Sequence, residues 1–141
     1  MSDTRLARML HVLVHMHLLG GTETSDTIAT MLNTNPVVVR RTMGALREHG
    51  LVASTGGRSG GWRLNRPADE LTVRHVHEAL QEGLPFSIGL SGDHPSCPVE
   101  RSVNHLLQHA MQKAEATLLE QFGRVSIAAL ARPAMPSPEA S

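Results

Sequence analysis

The sequence predicts a mainly α-helical fold that carries one short β-hairpin. Three observations support this prediction. Apolar residues recur at intervals of three and four along several segments of the 141-residue chain. The pair Asn35-Pro36 opens a helix directly after a short polar turn. Farther along, Gly56-Gly57 and Gly60-Gly61 lie between two short runs of strand-forming residues.

The first two helices are predicted from apolar spacing and from the residues at their ends. The first spans residues 4–19, and Gly20-Gly21 ends it. Ser25 is expected to cap a short second helix over residues 26–32, with Asp26 near its positive end. The apolar residues that recur at helical spacing in the first helix are Leu6, Leu10, Leu13, Val14 and Leu18.

The third helix follows a three-residue turn, Asn33-Thr34-Asn35. Asn35 can cap it, Pro36 fits its first position, and the helix runs to about His49, before Gly50. Its predicted core residues are Val39, Met43 and Leu46. Its predicted outward residues are Val37, Val38, Arg40, Arg41, Gly44 and Arg47. Two short helices joined by such a turn form a helix-turn-helix.

A β-hairpin is predicted directly after the third helix, with strands over residues 51–54 and 62–64. The two glycine pairs allow a tight tip between the strands. Trp62 and Leu64 are expected to pack the hairpin against the helices, and Arg63 to face solvent. A hairpin in this place makes the helix-turn-helix winged.

The C-terminal half is dominated by one long helix. Thr72 caps a helix over about residues 73–81, and residues 83–97 are predicted as a loop. From Pro98 to about Phe122 an apolar stripe extends over roughly 35 Å. A small domain cannot cover this stripe, so we expect the identical helix of a second copy to cover it.

The predicted fold is therefore mainly α, a winged helix-turn-helix with a long C-terminal dimerisation helix and a two-stranded wing. We assign residues 1–82 to a winged helix-turn-helix DNA-binding domain, 83–97 to the loop and 98–131 to the dimerisation helix region. Residues 132–141, rich in proline and serine, are predicted to be a disordered tail.

Positive charge is concentrated between residues 35 and 67. Six of the 13 Lys+Arg residues lie there with one acid, Glu48, although the whole chain has formal net charge +0. Such a local basic face favours contact with phosphates. An aromatic content of 2% without tyrosine argues against stacking platforms for single-stranded nucleic acid. We expect no membrane span and no signal peptide, and the single Cys97 is typical of a reducing cytoplasm.

The sequence resembles the Rrf2 family of bacterial transcriptional regulators over roughly residues 4–131. The matching residues are Ile28-Ala29, Val39-Arg40-Arg41, Leu46-Arg47, Gly50-Leu51-Val52, Ser54, Gly57, Gly60 to Leu64, Arg66-Pro67, Leu71-Thr72-Val73 and Val76 to Ala79. The run from Gly50 to Leu64 is the most specific of these. The resemblance implies a homodimer that binds palindromic promoter DNA, in a family whose members often sense iron–sulfur clusters, nitric oxide or redox state.

The sequence departs from the family pattern in two ways. Members that bind a cluster carry three cysteines between the helix after the wing and the dimer helix, whereas this chain has only Cys97, at the last of those positions. We therefore expect no iron–sulfur cluster and no other cofactor, as in the cluster-less branch of the family. Gly56 stands where many members have a wing arginine, which leaves Arg58 as the charged residue of the tip.

The third helix is predicted to enter the major groove of double-stranded DNA. The candidate DNA-binding residues are Thr34, Asn35, Val37, Val38, Arg40, Arg41, Arg47, Arg58 and Ser59. The arginines of the helix suit guanine or phosphate, and the two valines suit thymine methyl groups. Arg58 and Ser59 are placed on the wing tip, against the DNA backbone or in the minor groove. The alternative is a solvated basic face.

Cys97 is the candidate redox sensor. It precedes Pro98 at the start of the long helix, where the positive helix end favours a thiolate. The alternative is an inert, packed cysteine. His11 and His15 lie four apart on the first helix, as do His105 and His109 on the long helix, and each pair can present two ligands on one helix face. Because such pairs arise by chance among nine histidines, no metal site is assigned to them.

The predicted function is that of a homodimeric, sequence-specific DNA-binding transcriptional regulator, a repressor in the cytoplasm, with a possible thiol response. The alternative is a winged-helix module that regulates a partner protein without binding DNA. An enzyme is not predicted, because the sequence offers neither a phosphate-cradling loop nor an acid/base pair in register.

Overall fold

A computed structural model describes residues 4–56, 60–80 and 88–134 of the chain. The elements are α1 (Arg5–Leu19), α2 (Ser25–Leu32), α3 (Pro36–Glu48), β1 (Val52–Ser54), β2 (Trp62–Leu64), α4 (Val73–Ala79), α5 (Pro98–Gly123), α6 (Ile127–Ala131) and a 3₁₀ turn, Arg132–Ala134. The two strands form an antiparallel sheet. The predicted mainly α winged helix-turn-helix is confirmed.

The start of α2 differs from the prediction. Thr24 caps it by accepting a hydrogen bond from the Thr27 N–H at 3.1 Å, and Ser25 is already the first helical residue. The prediction that Ser25 caps this helix was wrong. Its hydroxyl oxygen instead accepts a hydrogen bond from Trp62 Nε1 at 2.9 Å. The Thr24 hydroxyl therefore caps α2, while the neighbouring Ser25 hydroxyl is bonded to Trp62.

The turn into α3 is as predicted. Asn33 adopts a left-handed conformation, with φ of 53°. Asn35 caps α3 by accepting a hydrogen bond from the Val38 N–H at 3.1 Å, and Pro36 occupies the first turn. The helix ends at Glu48, one residue before the predicted end, and Gly50 with φ of 73° allows the chain to reverse.

The core lies between the hairpin and the helices α1, α2, α3, α4 and α6. The predicted inner residues of α3, Val39, Met43 and Leu46, are all buried. The other buried apolar residues of this cluster are Met9, Val12, Leu13, Met16, Ile28, Ala29, Leu51, Val52, Trp62, Ala68, Leu71, Val76, Ala79, Leu80 and Ile127. One continuous core therefore fixes α3 and the hairpin relative to each other.

The hairpin pairs Val52 with Leu64 and Ser54 with Trp62. Its first strand begins one residue after the predicted start, because Leu51 is buried and its N–H bonds to the Leu46 carbonyl at 3.0 Å. Trp62 is buried, Leu64 is half-buried and Arg63 is exposed, as predicted.

The end of the described chain folds back on its beginning. Residues 127–131 were assigned to the dimerisation helix region, but they form α6, a separate helix that packs on α1. Ile127 and Ala131 are fully buried, and the Ile127 N–H donates to the Leu71 carbonyl at 2.8 Å. The sequence did not predict this helix, and the division into domains stays a prediction.

The two helices of the C-terminal half differ in burial. Helix α4 is capped by Thr72 as predicted and ends at Ala79, whereas residue 81 of the predicted helix lies outside the described residues. Helix α5 has 26 residues and none of them is buried. The ring of His77 on α4 lies edge-on to Phe122 near the end of α5, with centroids 5.5 Å apart. No helix in the described part of the chain is long and apolar enough to cross a membrane.

The predicted disordered tail, residues 132–141, is described only in part. Residues 132–134 form the 3₁₀ turn, and residues 135–141 lie outside the described residues.

Candidate nucleic-acid interface

The first turn of α3 presents two exposed valines. Val37 is 59% exposed and Val38 is 43% exposed, whereas the next residue, Val39, is 1% exposed. β-branched residues favour a helix poorly, and about half of the surface of these two valines stays exposed to solvent. Their methyl groups are therefore available to a molecule that approaches the start of α3.

Arg40 and Arg41 follow on the same outward face. Both side chains are exposed. Within the described residues, neither guanidinium has a hydrogen bond or an ion pair. Two adjacent arginines without an acidic partner create a local positive potential that a row of phosphates can neutralise.

The residues before α3 are occupied in shaping the turn. The side-chain Oδ1 of Asn35 accepts the capping hydrogen bond, so the side-chain NH₂ of Asn35 is the group left to donate. Thr34 is half-buried, and its N–H bonds to the Ala29 carbonyl at 2.9 Å. These two residues can contact a phosphate at the positive end of α3.

Gly44 lies on the outward side of α3. A methyl group at this position would meet no atom of the described chain within 4 Å. Packing within the protein therefore does not require a glycine there, although glycine in a helix interior costs about 1 kcal/mol relative to alanine. Its absence of a side chain leaves space for close approach to the helix.

Arg47 is held differently from the other two arginines of α3. Its guanidinium lies over the Trp62 ring, 5.7 Å from the ring centroid, and donates to the Ser54 hydroxyl at 3.4 Å. Because Trp62 in turn donates to Ser25, these contacts connect α3, the hairpin and α2. Arg47 therefore stiffens the junction between the helix and the wing, and its exposed side chain still lies beside the basic face.

The wing is attached at its base through backbone hydrogen bonds. Glu23 and Trp62 exchange two N–H···O bonds of 2.9 and 2.8 Å. The Gly61 N–H donates to the Thr55 hydroxyl at 2.9 Å, which closes the end of the two strands next to the tip. The predicted tip residues Arg58 and Ser59 lie outside the described residues.

Cys97 is placed at the start of α5, as predicted. It is the N-cap residue, it is half-exposed, and its thiol makes no capping hydrogen bond. The loop before it is tied to α5, because the His94 N–H donates to the Glu100 carboxylate at 2.6 Å and the Asn104 amide donates to the Ser91 carbonyl at 2.7 Å. The thiol therefore lies on an ordered corner of the chain.

The histidine pairs have different geometries. The rings of His11 and His15 are 4.7 Å apart and tilted, whereas those of His105 and His109 are 6.3 Å apart and nearly parallel. Among the residues that the structure describes, no group of three or more His, Cys, Asp or Glu side chains is placed to hold a metal ion.

Sequence reasoning missed two contributors to this interface. They are the backbone of Glu23 and the hydroxyl of Ser25, both of which fix Trp62. Both partners are nearly 40 residues away from Trp62 in the chain, so no local pattern in the sequence indicates the contact.

A helix-turn-helix with an outward basic face, followed by an antiparallel hairpin, is the architecture of a winged-helix DNA-binding transcriptional regulator. Comparison with known proteins agrees with this class. The sequence profile of the Rrf2 family, described as iron-dependent transcriptional regulators, matches residues 2–133. The chain belongs to the Rrf2 family.

Among named relatives, the chain is 28% identical over 127 residues to YwnA of Bacillus subtilis (strain 168), assigned as an HTH-type transcriptional regulator. The match covers 90% of this chain and 94% of YwnA. The family and this relative are transcriptional regulators and not enzymes.

Solved structures show the same fold at lower identity. T. potens IscR superposes with a TM-score of 0.66 at 19% identity, covering 95% of this chain and 88% of that chain. CymR (YrzC), the global cysteine regulator of B. subtilis, gives 0.61 at 21% identity and covers 89% of each chain. The oxidized form of Staphylococcus aureus CymR gives 0.64 at 20% identity, covering 94% of this chain and 96% of that chain.

The donor atoms of this chain do not fit the iron–sulfur cluster that members of the family bind. Such clusters are held mainly by cysteine thiolates. Cys97 is the single cysteine of the sequence, and it lies in no group of candidate ligands among the described residues.

Proposed function

We propose that this protein is a homodimeric, sequence-specific regulator that represses transcription by binding a palindromic operator in promoter DNA, in the cytoplasm. The observation that carries the proposal is the outward face of α3, with its exposed valines and with two arginines that have no ion-pair partner among the described residues. A dimer on a promoter excludes other proteins from the same DNA, which is the simplest route to repression.

The groups on α3 suit reading of the major groove. Arg40 or Arg41 can form paired hydrogen bonds with guanine, and Val37 and Val38 can contact thymine methyl groups. Gly44 lets the helix approach closely. Thr34 and Asn35 at the helix start, and Arg58 and Ser59 on the wing tip, supply contacts with the backbone of the same duplex. Arg47 supports the junction and adds positive charge beside it.

The exposed apolar side of α5 supports a dimer. Val99 is 70% exposed, Val103 is 49% exposed and Leu106 is 66% exposed. They recur at helical spacing on a helix about 39 Å long. An identical helix from a second copy would cover them, and the two recognition helices would then meet two half-sites of a palindrome.

Cys97 supports a response to oxidation through its position. It is partly accessible and is the N-cap residue of the proposed dimer helix, two residues before the exposed Val99. Oxidation or a disulfide between protomers would change how the two α5 helices meet. The structural neighbour CymR from Staphylococcus aureus is known in an oxidized form.

The proposed function is tested by duplex binding as a function of salt. Genomic fragments selected by the protein supply the operator, and affinity is measured by fluorescence anisotropy at several salt concentrations. We expect the double substitution Arg40→Gln with Arg41→Gln to weaken binding at least tenfold and to reduce the salt slope by about 2.

The control is Arg132→Gln, which removes one positive charge at an exposed position on the 3₁₀ turn, outside the helix-turn-helix, and each of the single variants Arg40→Gln and Arg41→Gln matches it in charge. The salt slope and affinity of Arg132→Gln should stay close to those of the unaltered protein. Equal duplex affinities for the double variant and the control would refute the proposal that α3 reads the DNA. Absence of any duplex binding would favour a module that acts on another protein.

A further inference from the structure

A cleft of about 410 Å³ lies between the end of α1 and the outer side of β2. Its lining residues are Met16, His17, Gly20, Gly21, Thr22, Arg63 and Leu64. All of them are described residues, and none of them belongs to the outward face of α3. Sites for small molecules in proteins usually measure roughly 300–1,000 Å³. The cleft therefore has the size of a small-ligand site outside the proposed DNA-reading helix.

The polar groups of the cleft favour an anion. Arg63 and His17 both line it, and none of the described residues that line it is acidic. Within the described chain neither side chain has a hydrogen bond or an ion pair. A guanidinium presents two parallel N–H groups that match a carboxylate, and an imidazole donates an N–H even when it is neutral. The Thr22 hydroxyl adds a further donor.

The apolar groups of the cleft limit the ligand further. Half-buried Leu64 lines the same space next to the glycines that follow α1, and Met16, which is 1% exposed, forms its floor. An inorganic anion would leave this apolar surface uncovered, whereas a short hydrocarbon chain would cover it. Small-ligand sites commonly combine apolar walls with a few polar groups that orient the ligand.

We propose that the cleft between α1 and β2 binds a small carboxylate with a short apolar chain. Its carboxylate pairs with Arg63 and accepts a hydrogen bond from His17, and its chain lies against Met16 and Leu64. This site is separate from DNA binding by α3, so it can be measured on the protein without DNA.

The test uses 4-methylpentanoate as the probe, with the full chain labelled with ¹⁵N. We expect saturable shifts of the Gly20, Gly21 and Thr22 amides, with a Kd of about 1 mM or lower by calorimetry. Isopentylamine, which keeps the chain but reverses the charge, and inorganic phosphate, which keeps the charge but lacks the chain, should each bind at least tenfold more weakly.

Two variants separate this site from general positive charge. Arg63→Gln should weaken binding of the acid at least tenfold, because it removes the guanidinium that pairs with the carboxylate. Arg66→Gln is the matched control, since it removes the same charge from a residue that does not line the cleft, and it should bind as the unaltered protein does.

Three results would overturn the proposal: amide shifts that map elsewhere on the chain, phosphate binding as tight as that of the acid, or unchanged acid binding by Arg63→Gln. If Arg63→Gln instead weakened only duplex binding, Arg63 would be a contact to the DNA backbone.

Discussion

Substitution of Gly61 by alanine should loosen the attachment of the wing. An added methyl group would lie 2.8 Å from the Glu23 carbonyl carbon, closer still to its oxygen, and 3.0 Å from the Thr22 methyl carbon. Real side chains do not approach backbone atoms this closely, and the Glu23 backbone is paired with Trp62 on the same side. The backbone pairing between Glu23 and Trp62 must therefore shift or open.

The magnitude follows from the contacts that the bridge holds. The two N–H···O bonds between Glu23 and Trp62 contribute about 0.5–1.5 kcal/mol each. Opening the bridge also exposes part of Trp62 and strains its bond to Ser25, which adds roughly 1 kcal/mol. Reduced freedom of the unfolded chain returns about 0.4–1 kcal/mol. We expect a net loss of about 1–3 kcal/mol in the free energy of unfolding.

Urea unfolding followed by tryptophan fluorescence measures this loss, because Trp62 is the single tryptophan of the sequence and lies at the bridge. Gly21→Ala is the matched control. A methyl group there meets nothing within 4 Å and the backbone is not left-handed, so stability should be unchanged or slightly higher. If Gly61→Ala unfolds at the same urea concentration as Gly21→Ala with unchanged native fluorescence, the packing argument is wrong.

Three further predictions concern α5 and α3. Leu106→Glu should raise the dimer dissociation constant, measured by sedimentation, at least tenfold, because it places a charge in the apolar contact. Gln108→Glu, which lies about 200° around the same helix, should leave that constant unchanged. Equal dissociation constants for the two variants would exclude this face as the dimer surface. Cys97→Ser should abolish any loss of duplex binding caused by diamide while leaving reduced binding intact, and an unchanged oxidant response would reject the thiol proposal. Gly44→Ala should raise stability by about 0.5–1 kcal/mol and weaken operator binding; unaltered DNA affinity would show that the space beside Gly44 is not used.

Much of the helix-turn-helix could be predicted because its determinants are local. The Asn35 side chain accepts a hydrogen bond from the N–H three residues later, and Pro36 fits the first turn of α3. Gly50 reverses the chain after α3 through its positive φ. The apolar stripe of α3 identified the buried residues correctly for the same reason, since helical spacing alone decides which face is inward.

The remaining differences depend on contacts between distant residues. Whether Thr24 or Ser25 caps α2 is decided by Trp62, which lies 37 residues beyond Ser25. Helix α6 has five residues, too few for periodicity to be recognised, and its position depends on the Leu71 and Ala68 carbonyls. At the interface, Arg40 and Arg47 belong to the same sequence pattern, yet only Arg47 meets an aromatic ring. The cap of α2, the position of α6 and the contact of Arg47 are thus set by residues that meet only in the folded chain.

If two copies of the chain pair along α5, this helix connects Cys97 to the proposed DNA-reading surface. The end of α5 is fixed to the core, because the Val73 N–H donates to the Val125 carbonyl at 2.9 Å and Ile127 is buried against it. Cys97 lies at the opposite end, about 39 Å away along a helix in which no residue is buried. If the dimer forms along this helix, a change at Cys97 alters the contact between protomers without disturbing the core of either one. Because α3 and the wing are joined to the same core through Trp62, these two elements of each protomer would then move as a unit. A thiol response would therefore change the spacing of the two α3 helices rather than their structure.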